Sequence, residues 1–201
     1  MSAYREHWIR NTFKTLFSRE NVLSLPNLLS LLRIMLVPVI IWVFREKQSN
    51  IGAVVLILIS AATDIADGKI ARKYNMTTDL GKILDPIADK LTQGAMVVCL
   101  LQCYPSMKYL LIIFVAKELI QALMAGVTLR KYGNAISAKW FGKASTVVFY
   151  SVMVVLFAFS KMPAQLSTVL IGISAGMLLL SLALYARFFI GLLLHPDRAS
   201  N

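Results

Sequence analysis

Apolar residues fill six stretches of the chain, at about 25–44, 51–73, 79–103, 107–130, 139–159 and 164–191, separated by short polar segments. A helix rises ~1.5 Å per residue, so roughly 20 apolar residues cross a bilayer core of about 30 Å. Lipid offers no partner for a backbone N–H or C=O, so such stretches must be helical. The pattern predicts an all-α integral membrane protein with six transmembrane helices. Ahead of them, Tyr4, Trp8, Thr12/Phe13 and Leu16/Phe17 recur at helical spacing, with Arg5, Arg10, Lys14 and Arg19 on other faces. This predicts an N-terminal amphipathic helix, lying on the membrane surface or packed on the protein's own cytosolic side. Three parts follow: an interfacial segment 1–22, a six-helix domain 23–192 and a cytosolic tail 193–201. The first apolar run starts near Leu25, behind a long charged segment, so no cleavable signal peptide is expected.

Composition agrees and adds orientation. Of 201 residues, 58% are hydrophobic, and the formal net charge is +11. An excess of cations can mean nucleic acid, but these Lys and Arg cluster at the ends of apolar runs. They suit cytosolic loops and anionic headgroups, and no nucleic-acid partner is expected. The first segment, the 72–82 turn, the 130–143 loop and the tail hold most of them; the opposite loops hold Arg45, Lys47, Lys108 and Lys161. The positive-inside rule then places both termini and the 72–82 turn in the cytosol. In a bacterium the membrane would be the plasma membrane. Trp42, Tyr104 and Tyr109 are expected at the outer interface, and Trp8, Trp140 and Tyr132 at the inner one. Cys99 and Cys103, four apart on a helix, are read as core fillers rather than a disulfide or metal pair.

One stretch breaks the apolar rule. Five of the ten acidic residues lie between Asp64 and Asp89, and all five are Asp. Charge at membrane depth is costly and marks function by default. Asp64 and Asp67 are three apart, and Asp85 and Asp89 four apart, so each pair shares a helix face. If the two helices run antiparallel about the turn at 75–78, Asp64 faces Asp89 and Asp67 faces Asp85. Four carboxylates in one pocket repel one another, and a pair of hard divalent ions, Mg²⁺ or Mn²⁺, is the simplest resolution. Two such ions form a clamp for displacement at phosphorus. The competing account is ion pairing of these Asp with Arg72, Lys69 and Lys90.

The pattern Asp64-x2-Asp67-Gly68-x2-Ala71-Arg72-x8-Gly81-x3-Asp85-x3-Asp89 resembles the signature of the CDP-alcohol phosphotransferases, with every fixed position filled. The general resemblance covers roughly residues 24–190. It implies that Asp64, Asp67, Asp85 and Asp89 hold two divalent cations, with Asp89 also the catalytic base. Gly68, Ala71 and Gly81 would leave a slot for the cytosine and ribose of CDP-diacylglycerol, although small residues also permit plain close packing. Arg72 would hold phosphate oxygens, and Thr78 would add a hydroxyl. At the start of the first span Pro26 suits a helix start. Asn27 and Ser30 are either caps for that helix or, as the resemblance implies, donors to the nucleotide lipid. Arg33, two turns in, is expected to snorkel or to meet an acidic group. A homodimer is also implied by the resemblance. Gly172-x3-Gly176 in the last span is expected to pack against another helix.

Ser137 to Thr146, notably Gly142-Lys143 and Thr146, is similar to the corresponding stretch of phosphatidylglycerophosphate synthases. Those enzymes carry an Arg-Glu pair where this chain has Lys117-Glu118. Lys keeps the charge but lacks the bidentate fork. On this basis Lys117, Lys139 and Lys143 are the candidates to bind a small phosphorylated alcohol. Glu118 is expected to pair with Lys90, leaving Lys117 pointing elsewhere. The function expected is transfer of a phosphatidyl group from CDP-diacylglycerol to glycerol 3-phosphate, with release of CMP. A cardiolipin synthase using phosphatidylglycerol is the alternative within the family. Outside it, a cation transporter needs polar residues across the full membrane, yet 54–59 and 96–101 are almost wholly apolar; a non-catalytic scaffold leaves the complete Asp set unexplained.

Overall fold

A computed structural model describes residues 24–74, 78, 80–132 and 140–194; the N-terminal segment, the tail, Lys139 and the side chain of Arg72 lie outside the described residues. Among the described residues six helices follow in order: α1 (Leu25–Arg45), α2 (Asn50–Lys73), α3 (Gly81–Leu100), α4 (Met107–Tyr132), α5 (Trp140–Ala158) and α6 (Ala164–Leu194). Among the described residues there is no strand. Five of the helices, all but α3, are long and apolar enough to cross a membrane, as expected of a multi-pass membrane protein. α3 misses that standard because Lys82, Asp85, Asp89 and Lys90 crowd its first half.

The chain forms two compact units, one ending at Met96 and the other starting at Val97. In the first, Ser24 supplies the N-cap position of α1 and Pro26 sits in its first turn, where a missing N–H costs nothing. Asn27 and Ser30 do not cap this helix; both turn sideways to partners described below. α1 carries its polarity inward. Asn27, Ser30, Arg33, Ile40 and Phe44 are buried, while Leu28, Leu32, Met35, Val39 and Trp42 form an exposed stripe at helical spacing. An apolar exterior over a polar interior is what a lipid solvent selects. The connection at 46–49 turns the chain back, with Gln48 at a φ of 49°. Ser49 then caps α2 by accepting from the Gly52 N–H at 3.1 Å. A Cβ at Gly52 would sit 3.0 Å from Val43, so glycine lets the α1–α2 hairpin close here.

In the second unit α6 packs against both α4 and α5. Its buried positions Ser167, Ile171, Ser174, Leu178 and Ser181 recur at alternating spacings of four and three, with small hydroxyl residues allowing close approach. Gly172 and Gly176 lie off this stripe, and a Cβ on either would meet open space. Within the described residues of this chain, the serine stripe rather than the glycine pair faces the neighbouring helices. Tyr104 is buried, and its hydroxyl donates to the Phe159 carbonyl at 2.7 Å, satisfying a carbonyl left over beyond the end of α5. Trp42, Tyr109 and Trp140 are exposed, and Lys47 Nζ sits 5.1 Å over the Trp42 ring. Among the described residues Cys99 and Cys103 form no disulfide.

A carboxylate cluster gathered on one guanidinium

The candidate site is built within the first unit from α1, α2 and the start of α3. One turn of α2 separates Asp64 from Asp67, so both carboxyl groups project from one face toward α1. Arg33 meets them there. Its Nη1 donates to Asp64 Oδ1, and its Nη2 donates to Asp67 Oδ2 at 2.8 Å and lies 3.7 Å from Asp85 Oδ1. Arg33 therefore meets acidic groups, as one of its two expected fates held. Asp64 and Asp67 thus pair with Arg33 rather than with Lys69, while Asp89 lies near Lys90 as the competing account expected.

Burial divides the acids. The Arg33 and Asp67 side chains are 2% and 4% exposed, whereas Asp64 and Asp85 are 49% and 45% exposed. Asp85 also accepts from the Ser30 hydroxyl, which is itself 3.1 Å from the Pro26 carbonyl. Pro86, directly after Asp85, lies inside α3 and has no N–H for the ladder. Asp89, one turn on, accepts from Gln93 Nε2 at 2.8 Å and lies 3.8 Å from Lys90 Nζ. The charges of Asp85 and Asp89 both act on Asp64. Three of the four expected acids thus share one guanidinium, and the fourth lies within their field.

Beside the acids lies a second small network. Buried Asn27 is paired with the Thr78 hydroxyl through both amide atoms, Nδ2 at 2.9 Å and Oδ1 at 3.0 Å, and that hydroxyl also accepts from the Gly81 N–H at 3.0 Å. A Cβ at Gly81 would fall 2.6 Å from Asn27 Oδ1, so only glycine fits without a shift. Asp64, Gly68 and Ala71 stand at i, i+4 and i+7 of α2 and share a face. These residues bring polar donors and small side chains to the level of the acids.

The donor set is all oxygen, which suits a hard divalent ion. One guanidinium against three carboxylates leaves negative charge over, and two of those carboxylates are half-exposed. By donor type and charge the residues fit the expected cations. Their spacing is set by the guanidinium, and among the described residues no three acidic, His or Cys side chains are grouped about one ion position.

The other expected site residues belong to the second unit. Lys117 is buried, and its Nζ lies 2.7 Å from Glu118 Oε1. The expectation that Lys117 points away from Glu118 is corrected: a four-carbon stem curls back across the 100° between neighbours. Lys143 is exposed near the start of α5, and a Cβ at the preceding Gly142 would meet the Tyr185 hydroxyl at 2.7 Å. Sequence reasoning missed the Gln93–Asp89 bond. The spacing of four on one helix was the available signal.

Residues 23–189 match the sequence profile of the CDP-alcohol phosphatidyltransferase family. The chain is 49% identical over 82 residues to a Rickettsia felis protein named CDP-diacylglycerol–glycerol-3-phosphate 3-phosphatidyltransferase, covering 39% of this chain and 45% of that one. It is 28% identical over 141 residues to the Bacillus subtilis protein of the same name, covering 61% and 70%. It is 32% identical over 139 residues to a Streptomyces coelicolor cardiolipin synthase (CMP-forming), covering 66% and 64%. The matched stretch thus spans about half the length of the rickettsial relatives, 45% for the first of them.

Proposed function

The chain belongs to the CDP-alcohol phosphatidyltransferase family, and on that footing we propose that it transfers the phosphatidyl group of CDP-diacylglycerol to glycerol 3-phosphate, releasing CMP. The observation that carries this reading is the gathering of Asp64, Asp67 and Asp85 on one guanidinium, with Asp89 in their field. In it, Asp64, Asp67, Asp85 and Asp89 hold two divalent cations, Mg²⁺ or Mn²⁺. When bound, such ions neutralise the pyrophosphate and polarise the phosphorus under attack.

The chain's own groups do the rest. Asp89 takes the proton from the acceptor hydroxyl, and Gln93 orients its carboxylate through Oδ2. The freed oxygen forms a bond to the phosphorus that bears diacylglycerol. The bond from that phosphorus to the CMP oxygen breaks, and CMP leaves with the electron pair. Asn27, Ser30 and Thr78 exchange their present partners for the nucleotide lipid; Gly68, Ala71 and Gly81 leave room for the cytosine and ribose; Arg72 binds phosphate oxygens. Lys117, Lys139 and Lys143 bind the phosphate of the acceptor. We also assign α3 as a sixth span, residues 1–22 as a surface helix, the termini and the acids to the cytosolic side, and the working state to a homodimer.

A second reading, cardiolipin synthase with phosphatidylglycerol as acceptor, is favoured by one observation: the Streptomyces coelicolor relative covers 66% of this chain. Purified protein given CDP-diacylglycerol, Mg²⁺ and a panel of alcohols separates the two. Glycerol 3-phosphate is expected to give the fastest CMP release. Faster release with phosphatidylglycerol would establish the second reading, and no release with any alcohol would remove the transferase reading.

A further inference from the structure

Arg33 is buried to 2% exposure in a helix whose outer face is apolar, and among the described residues it is the largest side chain buried so fully. Guanidinium groups at such depth are rare and need opposite charge. The donors of Arg33 are used unevenly. Nη1 and Nη2 reach Asp64 and Asp67, and Nη2 lies 3.7 Å from Asp85 and 3.5 Å from the Ser30 hydroxyl. Among the described residues, buried Nε has no hydrogen-bond partner. A side chain kept only to tie α1 to its neighbours would be expected to have every buried donor satisfied. This one spends its bonding ends on carboxylates and leaves its inner nitrogen unmatched.

We propose that Arg33 is a built-in counter-cation and positioning residue for the metal site. Without ions it holds Asp64, Asp67 and Asp85 together against their mutual repulsion, and bound divalent cations take over that duty. The inference rests on the metal-dependent reading above and adds a role that the Asp signature does not contain. Its physical basis is charge. Three carboxylates around one guanidinium retain an excess of negative charge that attracts a divalent ion, whereas three carboxylates without it repel and spread. The contribution of Arg33 to stability should therefore be large without metal and small with it. An ordinary structural ion pair would contribute equally in both conditions.

The test uses the full chain in lipid nanodiscs, comparing wild type, Arg33→Gln and Arg33→Lys. Melting is followed in EDTA and in saturating Mn²⁺, and Mn²⁺ binding is read directly by electron paramagnetic resonance. Arg33→Gln is expected to lower Tm in EDTA by on the order of 10 °C, the scale for stranding buried charge. Mn²⁺ should restore most of that loss, with Arg33→Lys intermediate because it keeps the charge and loses the fork. If Arg33→Gln does not fold in EDTA, the double variant Arg33→Gln with Asp67→Asn should fold there, since it removes charge on both sides. An equal Tm loss in EDTA and Mn²⁺, no loss in either, or a double variant no better than the single one would overturn the proposal. Wild type that binds no Mn²⁺ would overturn it too. Mn²⁺ binding with the expected Tm pattern but no CMP release from any alcohol would sink the transferase reading alone.

Discussion

Asp89→Asn keeps the size of the side chain and removes its basicity. Turnover is expected to fall ~10²- to 10⁴-fold, the range for losing a general base, with CDP-lipid binding largely spared; CMP release and lipid binding measured on the same preparation check this. Turnover near wild type would take Asp89 out of the base role. Gly81→Ala acts through space. Its methyl group would meet Asn27 Oδ1 at 2.6 Å and push apart the Asn27–Thr78 pair. A loss of ~1–3 kcal/mol in stability is expected, with a raised KM for CDP-diacylglycerol; unchanged melting and KM would show that the network yields freely. The four acids were readable because charge is rare in apolar spans and a period of 3.6 assigns faces. The partner of Asn27 was not readable. A short amide beside a helix start is equally a cap by sequence, and Thr78 lies 51 positions away.

Helices repeat the lesson at larger size. The six apolar runs predicted helix positions to within a few residues, because lipid forces every backbone group into a local hydrogen bond. Their inward faces were harder to read. In α6 the glycine pair drew attention as a packing motif, yet the face set against α4 and α5 is the serine and aliphatic stripe one position round. A small residue permits contact without demanding it. Tyr104, at the end of a span, has the position of an interfacial aromatic, but its hydroxyl reached a carbonyl 55 residues on. Tyr104→Phe is expected to cost ~1 kcal/mol of stability with CMP release retained. A scan of Tm with parallel assay checks it, and an unchanged Tm would make that bond dispensable.

At the level of the molecule, Lys143→Ala tests whether the acceptor is held by the second unit. The KM for glycerol 3-phosphate is expected to rise several-fold, about 1 kcal/mol for one charge-assisted contact, with the KM for CDP-diacylglycerol unchanged. The reverse pattern would assign Lys143 to the nucleotide. Orientation has its own test in intact bacteria. With Cys99 and Cys103 replaced by Ala, an impermeant maleimide should label Lys47→Cys in whole cells and Lys73→Cys only after permeabilisation. Labelling of Lys73→Cys in whole cells would invert the topology.

Hydropathy, charge rarity and helical spacing, all properties of neighbouring positions, determined by themselves that this is a helical membrane protein with half of its acidic residues gathered between Asp64 and Asp89. Tertiary structure alone decided that α1 delivers Arg33 to three of those acids, that Thr78 rather than a helix end engages Asn27, and that Lys117 curls onto Glu118. The reason is range. Local periodicity follows from backbone geometry, whereas the partner of a buried charge depends on which helices are brought side by side.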